Sequence, residues 1–292
     1  VQTFTGGAGA DRLTLGTTFG STDVVNGGAG DDVLEVGEDE IVAITTAALA
    51  ANVTNFERID VSEALGAGDN INLTVFAGVT ALEMSAGLAG SSTLTVATGN
   101  TIDMEADVAT NLTVAIAGVG TNDSATLVLD DADIVGNLVA TSLEGLTINS
   151  VGTADGGENV VGGTTALNNI AGTQTITVTG SEALTFTGLV TADAIDASAL
   201  TDVLTITAGT NIASTITGGS AADIIDVSDG TVANVVIGGA GADQITFDIE
   251  VADIVTGGAG NDIFIMDSDT DVAFAGAVIQ DFTTTDNLDL DL

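Results

Sequence analysis

Gly238-Gly239-Ala240-Gly241-Ala242-Asp243-Gln244-Ile245-Thr246 decides how the rest of this chain reads. Its pattern is GGxGxDxUx, where U is a large apolar residue. The same pattern stands at residues 6–14 (GGAGADRLT), 27–35 (GGAGDDVLE) and 257–265 (GGAGNDIFI). A fifth copy, residues 218–226 (GGSAADIID), has Ala221 where the others have their third glycine. Glycine gives the positive φ angles of a tight turn. Such a turn aims backbone carbonyls and one Asp carboxylate at a common point, a donor set suited to a hard cation. The apolar eighth residue then starts a short strand into a core. A plain glycine–aspartate turn is the alternative at each copy, but four full matches in 292 residues specify a repeat.

The spacing of the copies sets the architecture. Their first glycines fall at positions 6 and 27, and again at 218, 238 and 257. Between the two groups runs a series of tetrads, among them Asn72-Leu73-Thr74-Val75, Thr93-Leu94-Thr95-Val96, Asn111-Leu112-Thr113-Val114, Thr126-Leu127-Val128-Leu129 and Val203-Leu204-Thr205-Ile206. Each alternates as a half-buried strand does, with Gly, Asn, Asp and Ser clustered between them. A period of ~20 residues built from short strands and glycine turns predicts a solenoid, because one coil cannot bury its apolar face alone. The expected fold is all-β: a parallel β-helix or β-roll of about 14 coils, roughly 65–70 Å long. Residues 39–52 (DEIVAITTAALAAN) break the pattern with apolar residues at helical spacing and acidic residues at the start, which predicts one short inserted helix. The expected organisation is one continuous solenoid. It comprises N-terminal coils over 1–38, helix and return strand over 39–64, a strand ladder over 65–217, and C-terminal coils with a closing segment over 218–292.

Composition narrows the function. The formal net charge is −40, from 42 acidic residues against Arg12 and Arg58 alone. Yet 45% of residues are hydrophobic, enough to bury a core. Asp outnumbers Glu 31 to 11, and short carboxylates suit turns and tight oxygen cages. Nucleic acid is excluded as a partner, since nothing would neutralise its phosphates. No apolar run reaches the ~18 residues of a membrane span, so no membrane insertion is expected. Cys is absent, which leaves metal as the staple for an extracellular chain. The sequence starts at Val1 without an initiator Met or signal peptide, as expected of a processed chain or a fragment.

Each glycine turn holds part of a cation's shell, and the equivalent turn of the next coil, stacked ~4.8 Å away, supplies the rest. Calcium, with 6–8 oxygens, fits better than magnesium. The candidate ligating positions are Gly7, Gly9 and Asp11; Gly28, Gly30 and Asp32; Gly219 and Asp223; Gly239, Gly241 and Asp243; and Gly258, Gly260 and Asp262. The expected columns are Asp11–Asp32 and Asp223–Asp243–Asp262. With one nonapeptide per coil, a single calcium row along one edge is expected. Two carboxylates ~5 Å apart repel by roughly 0.8 kcal/mol in water and ~3 kcal/mol at an effective dielectric of 20, so folding of these regions is expected to require the metal. Residues 267–271 (DSDTD) open like an EF-hand loop but lack its later Gly and Glu, and read as an acidic loop.

These nonapeptides resemble those of the RTX (repeats-in-toxin) family. Ile279-Gln280-Asp281-Phe282 and Asp286-Asn287-Leu288-Asp289-Leu290 are similar to the segment that closes RTX β-rolls, with Thr285 in place of the usual Gly. The long Thr/Val/Ala/Gly ladder is similar to that of RTX-type bacterial surface-layer proteins. The resemblance implies type I secretion, folding in extracellular calcium, and continuation of relatives beyond the DLDL end. It also implies a location at the cell surface.

Enzymatic function is not expected. Without His there is no HExxH zinc site and no Ser-His-Asp triad, and without Cys there is no thiol nucleophile. Arg12 lies in a glycine turn, and Arg58 is expected to pair with a neighbouring Asp. Carboxylate pairs such as Asp31/Asp32 or Asp130/Asp131 point to opposite strand faces. The expected function is a calcium-dependent surface-layer or cell-surface scaffold that partners with itself, and with anionic cell-surface glycan or lipopolysaccharide through bridging calcium. An RTX adhesin or matrix spacer is the alternative. A more distant one is an ice- or crystal-binding face built from Thr175, Thr177, Thr179, Thr185, Thr187, Thr205, Thr207, Thr215 and Thr217.

Overall fold

The computed structural model describes the whole chain except residues 17, 21, 119, 153–156, 169–171, 210–212, 268–275 and 292. It is a parallel β-solenoid. Among the described residues, 13 strands stack in register into sheet A, from Arg12–Gly16 to Val278–Ile279. A 12-stranded sheet B runs beside it, from Asn70–Asn72 to Asn287–Asp291. In the first coils its place in the chain path is taken by a three-stranded sheet C: Thr3–Thr5, Val24–Asn26 and Val53–Thr54. Each coil therefore runs along sheet A, turns at an outgoing edge, runs along B or C, and returns to A at a return edge. Thirteen strands at ~4.8 Å give a rod of about 58 Å, slightly shorter than the spacing predicted.

The coil length is less regular than a fixed period. Partners are 19 residues apart at Val235↔Ile254 but 30 apart at Gly145↔Thr175. The inward register holds over long runs, interrupted by bulges at Thr14/Gly16 and Thr177/Thr179 in sheet A and Thr185/Leu189 in sheet B. Leu34, Ile59, Leu82, Ile102, Leu127, Ile148 and Val178 stack one above another along sheet A, all fully buried. Burying each such side chain stabilises by ~1.5–3 kcal/mol. Sheet B carries the facing stack, with Ile206, Ile225, Ile245 and Phe264 in register. Between the sheets, isolated bridges join Leu65, Leu88, Val108, Ile134 and Val161, a narrow third column on the outgoing edge of the middle coils.

Two local expectations are corrected. Residues 39–52 do not form one helix but two short ones, α1 (Glu38–Val42) and α2 (Ala47–Ala50). Thr46 starts the second, its Oγ1 accepting the Leu49 N–H at 3.4 Å, so the β-branched Thr45-Thr46 pair divides the segment. Leu73–Val75 is a 3₁₀ turn rather than strand, because the Asn72 side chain accepts from the Thr74 N–H at 3.1 Å and its Oγ1 at 2.6 Å. The Thr rows are also broken: Ala194 separates Thr175 from Thr215, Asp196 separates Thr177 from Thr217, and Ile224 and Asp226 follow Thr205 and Thr207.

Candidate metal centre

The nonapeptides stack as their spacing within each group predicts. The turn at 6–11 joins Thr3–Thr5 to Arg12–Gly16, and the turn at 27–32 joins Val24–Asn26 to Val33–Val36, so both lie on the return edge. The turns at 218–223, 238–243 and 257–262 lead from sheet A into sheet B, on the outgoing edge. The single-edge row is therefore corrected to two separate short columns on opposite edges. The physical reason is phase. The ~20-residue beat fixes which turns stack within a group, but coils of variable length between the groups erase the relation between them.

Within each column the motif's chemistry can be read atom by atom. The first glycine lies under its own Asp and against the next coil. A Cβ at Gly6 would lie 1.8 Å from Gly27 O, and one at Gly238 would lie 2.5 Å from both Asp243 Oδ2 and Gly257 O. In the later turns the glycines at the second and fourth positions take positive φ: 110° and 148° at Gly28 and Gly30, 112° and 135° at Gly239 and Gly241, 100° and 157° at Gly258 and Gly260. At each, a Cβ would collide with a carbonyl of the preceding turn, as at Gly28 against Gly7 O (2.3 Å) or Gly30 against Gly9 O (2.4 Å). The leading turn of each group differs. Gly7, Gly9 and Gly219 are not in the positive-φ region, and neither is Ala221, so the Ala in the fifth copy stands where no left-handed backbone is needed.

The aspartates form hydrogen-bonded ladders. Asp32 Oδ1 accepts the Asp11 N–H at 2.7 Å. On the other edge, Asp223 Oδ1 accepts the Leu204 N–H (2.7 Å), Asp243 Oδ1 the Asp223 N–H (2.8 Å) and Asp262 Oδ1 the Asp243 N–H (3.0 Å). Three further carboxylates belong to this system. Glu57 Oε2 accepts the Asp32 N–H at 2.9 Å, and Asp286 Oδ1 the Asp262 N–H at 3.1 Å. Asp281 takes both the Gly257 and Gly258 N–H groups, at 2.9 and 2.8 Å. Asp281 and Asp286 were visible in the closing segment; Glu57 has no glycine turn beside it to announce it.

The second carboxylate oxygens separate leading from interior turns. Asp11 Oδ2 accepts the Gly7 N–H at 2.7 Å, and Asp223 Oδ2 the Gly219 N–H at 2.6 Å. Asp32 and Asp243 are fully buried, and Oδ2 of each has no hydrogen-bond partner. Burial pushes the Asp243 carboxyl up to about 6, the Asp223 N–H opposing it and the charges of Asp223 and Asp262 adding to it. Burial also raises Asp223 and Asp262. An ionised carboxylate oxygen with no donor is costly to bury, and a cation relieves that cost. Among the described residues no three acidic side chains converge as a cage, so most oxygens around such an ion would be the stacked backbone carbonyls. The donor set is hard oxygen throughout and fits calcium. The EF-hand-like stretch at 267–271 falls largely outside the described residues.

Both basic residues sit together on the outer face of sheet A. Arg12 pairs with Glu35 (3.0 Å) and Asp60, and Arg58 with Asp31 (3.1 Å) and Glu83 (2.9 Å). Arg58 thus pairs with an Asp as expected, and neither is left beside the C-terminal column. No protein-family model matches the chain, and no curated protein matches it.

Proposed function

We propose that this chain is a calcium-stiffened structural solenoid of an extracellular surface, of the RTX type, that assembles with copies of itself. The observation that carries this reading is the pair of buried, donorless oxygens at Asp32 and Asp243, each inside a stack of glycine turns. Calcium there would be held by these carboxylates, by Asp11, Asp223 and Asp262, and by carbonyls of the glycine turns. It would supply charge neutralisation and a rigid link between coils. Around it the fold offers two long parallel sheets and a surface of high negative charge. Sheets of such a chain come together when divalent cations bridge them, with each other or with anionic glycan or lipopolysaccharide. Secretion by a type I exporter into millimolar calcium belongs to the same reading, as does a non-catalytic role. The interrupted Thr rows weigh against an ice- or crystal-binding face.

Negative-stain microscopy of the purified chain, with calcium and with excess EGTA, tests the proposal. A lattice or filament that forms only with calcium supports it. Persistent single rods in calcium leave the adhesin or spacer reading and overturn the assembling scaffold.

A further inference from the structure

Among the described residues, three carboxylates combine complete burial with an oxygen that has no hydrogen-bond partner: Asp32, Asp243 and Asp253. The first two belong to glycine nonapeptides. The third does not. Asp253 closes the turn that returns from Gln244–Asp248 to Ile254–Ala259, on the edge opposite the C-terminal nonapeptide column. We infer that Asp253, together with Asp248 at the other end of the same turn, forms a further calcium site outside any glycine motif.

The geometry of this turn repeats that of the nonapeptide aspartates. Asp253 Oδ1 accepts the Asn234 N–H of the preceding coil at 2.7 Å, as Asp243 Oδ1 accepts from Asp223. Oδ2 is left over, and Asp248 is the neighbouring charge. Asp248 is itself 9% exposed, and its Oδ1 accepts the Glu250 N–H at 2.6 Å, which folds the turn back toward Asp253. Burial pushes the Asp253 carboxyl up to about 6; the Asn234 and Asp248 N–H groups oppose the shift and the Asp248 charge adds to it. It is thus ionised above pH 7. The chain has no basic side chain after Arg58, so the balancing charge comes from outside the protein. A hard divalent cation suits two carboxylates and the carbonyls of a tight turn, and calcium accepts such an irregular shell where magnesium does not. One coil earlier the same position is Asn234, whose Oδ1 accepts the Ser214 N–H at 3.0 Å. Asparagine therefore performs the structural bond there without a charge, and the carboxylate at Asp253 adds something beyond that bond.

This site extends the reading of the chain as calcium-bearing but stands on a different turn, so the two fail separately. The test is equilibrium dialysis of the full chain with radioactive calcium at pH 7.5, comparing wild type with Asp253→Asn, Asp248→Asn and Asp243→Asn. Asp253→Asn keeps the acceptor for Asn234 and is expected to fold. The inference predicts that Asp253→Asn and Asp248→Asn each bind one calcium fewer per chain, or bind that ion at least tenfold more weakly, with the strand signal in circular dichroism unchanged. If Asp253→Asn does not fold, Asp248→Asn decides. Unchanged stoichiometry and affinity in the folded variants overturns the site. A loss in Asp243→Asn alone supports only the nonapeptide column, and a loss in Asp253→Asn alone supports only this site.

Discussion

The middle coils hold their outgoing edge with a mixed ladder, amides beside the carboxylates of Asp107 and Asp133, where the C-terminal nonapeptide column uses carboxylates alone. In the middle, Asn111 Oδ1 accepts the Asn137 N–H at 2.8 Å, and Asn137 Oδ1 accepts the Thr164 N–H at 2.9 Å. In the C-terminal coils Asp223, Asp243 and Asp262 take that part, accepting from the preceding coil rather than the following one. A neutral amide satisfies the backbone at no electrostatic cost. A carboxylate satisfies it equally and leaves a buried charge, which in water-free surroundings must be neutralised. The difference teaches that the edge bond alone does not call for Asp. The charge serves the cation, and stability in the two regions is expected to respond differently to calcium while depending on the same aliphatic stack.

The largest expected effect breaks what the regions share. Leu127→Ala removes a fully buried member of the sheet A stack and should destabilise by about 2–5 kcal/mol, equally with calcium and with EGTA. Denaturant melts followed by circular dichroism check this; a loss that appears only in EGTA would mean that calcium also governs the middle coils.

The second prediction concerns pH, which acts on both regions, since burial also pushes Asp103 in the middle coils up to about 6. Asp243 and Asp253 are held near 6, above the usual carboxylate range. A carboxyl whose folded value is raised binds its proton more tightly when folded, so stability falls as pH rises from the unfolded value of ~3.9 through 6. Without calcium, the melting temperature of the C-terminal coils should therefore fall between pH 4 and 6.5 and level off above. Asp243→Asn should flatten that slope, and calcium should offset the loss at pH 7 in wild type. A melting temperature that rises over this window without calcium contradicts the assignment.

The smallest effect lies among the amides of the middle ladder. Asn137→Ala removes the acceptor for the Thr164 N–H and should cost about 1 kcal/mol, with no change in calcium response. Thermal melts with and without calcium read both quantities.

Much of this was legible in the chain. Alternation such as Thr93-Leu94-Thr95-Val96 places Leu94 and Val96 inward, and both are fully buried. The glycine pattern predicted which aspartates stack, because a Cβ at Gly28 or Gly239 has no room beneath the previous turn. What the sequence hid was of three kinds. The edge on which each column lies depends on the sum of irregular coils, and no local motif carries that sum. Glu57 joins the N-terminal ladder from a turn with no glycine signature, through a register set by Val33↔Arg58. Asn72 diverted a strand-like tetrad into a 3₁₀ turn through its own side chain, a local competition that apolar periodicity does not register. Asp253, like Glu57, has no glycine signature beside it; its importance lies in burial, and its neighbours Val251 and Ala252 look like ordinary chain.

The central claim is that the nonapeptide coils need a cation and the middle coils do not. Amide hydrogen exchange of the full chain, at pH 7.5 with millimolar calcium and with excess EGTA, tests it most directly. The account predicts that EGTA strips protection from the strands at 12–36 and 235–267 while those at 81–148 keep theirs. Equal protection in both conditions, or equal loss along the whole rod, would contradict it.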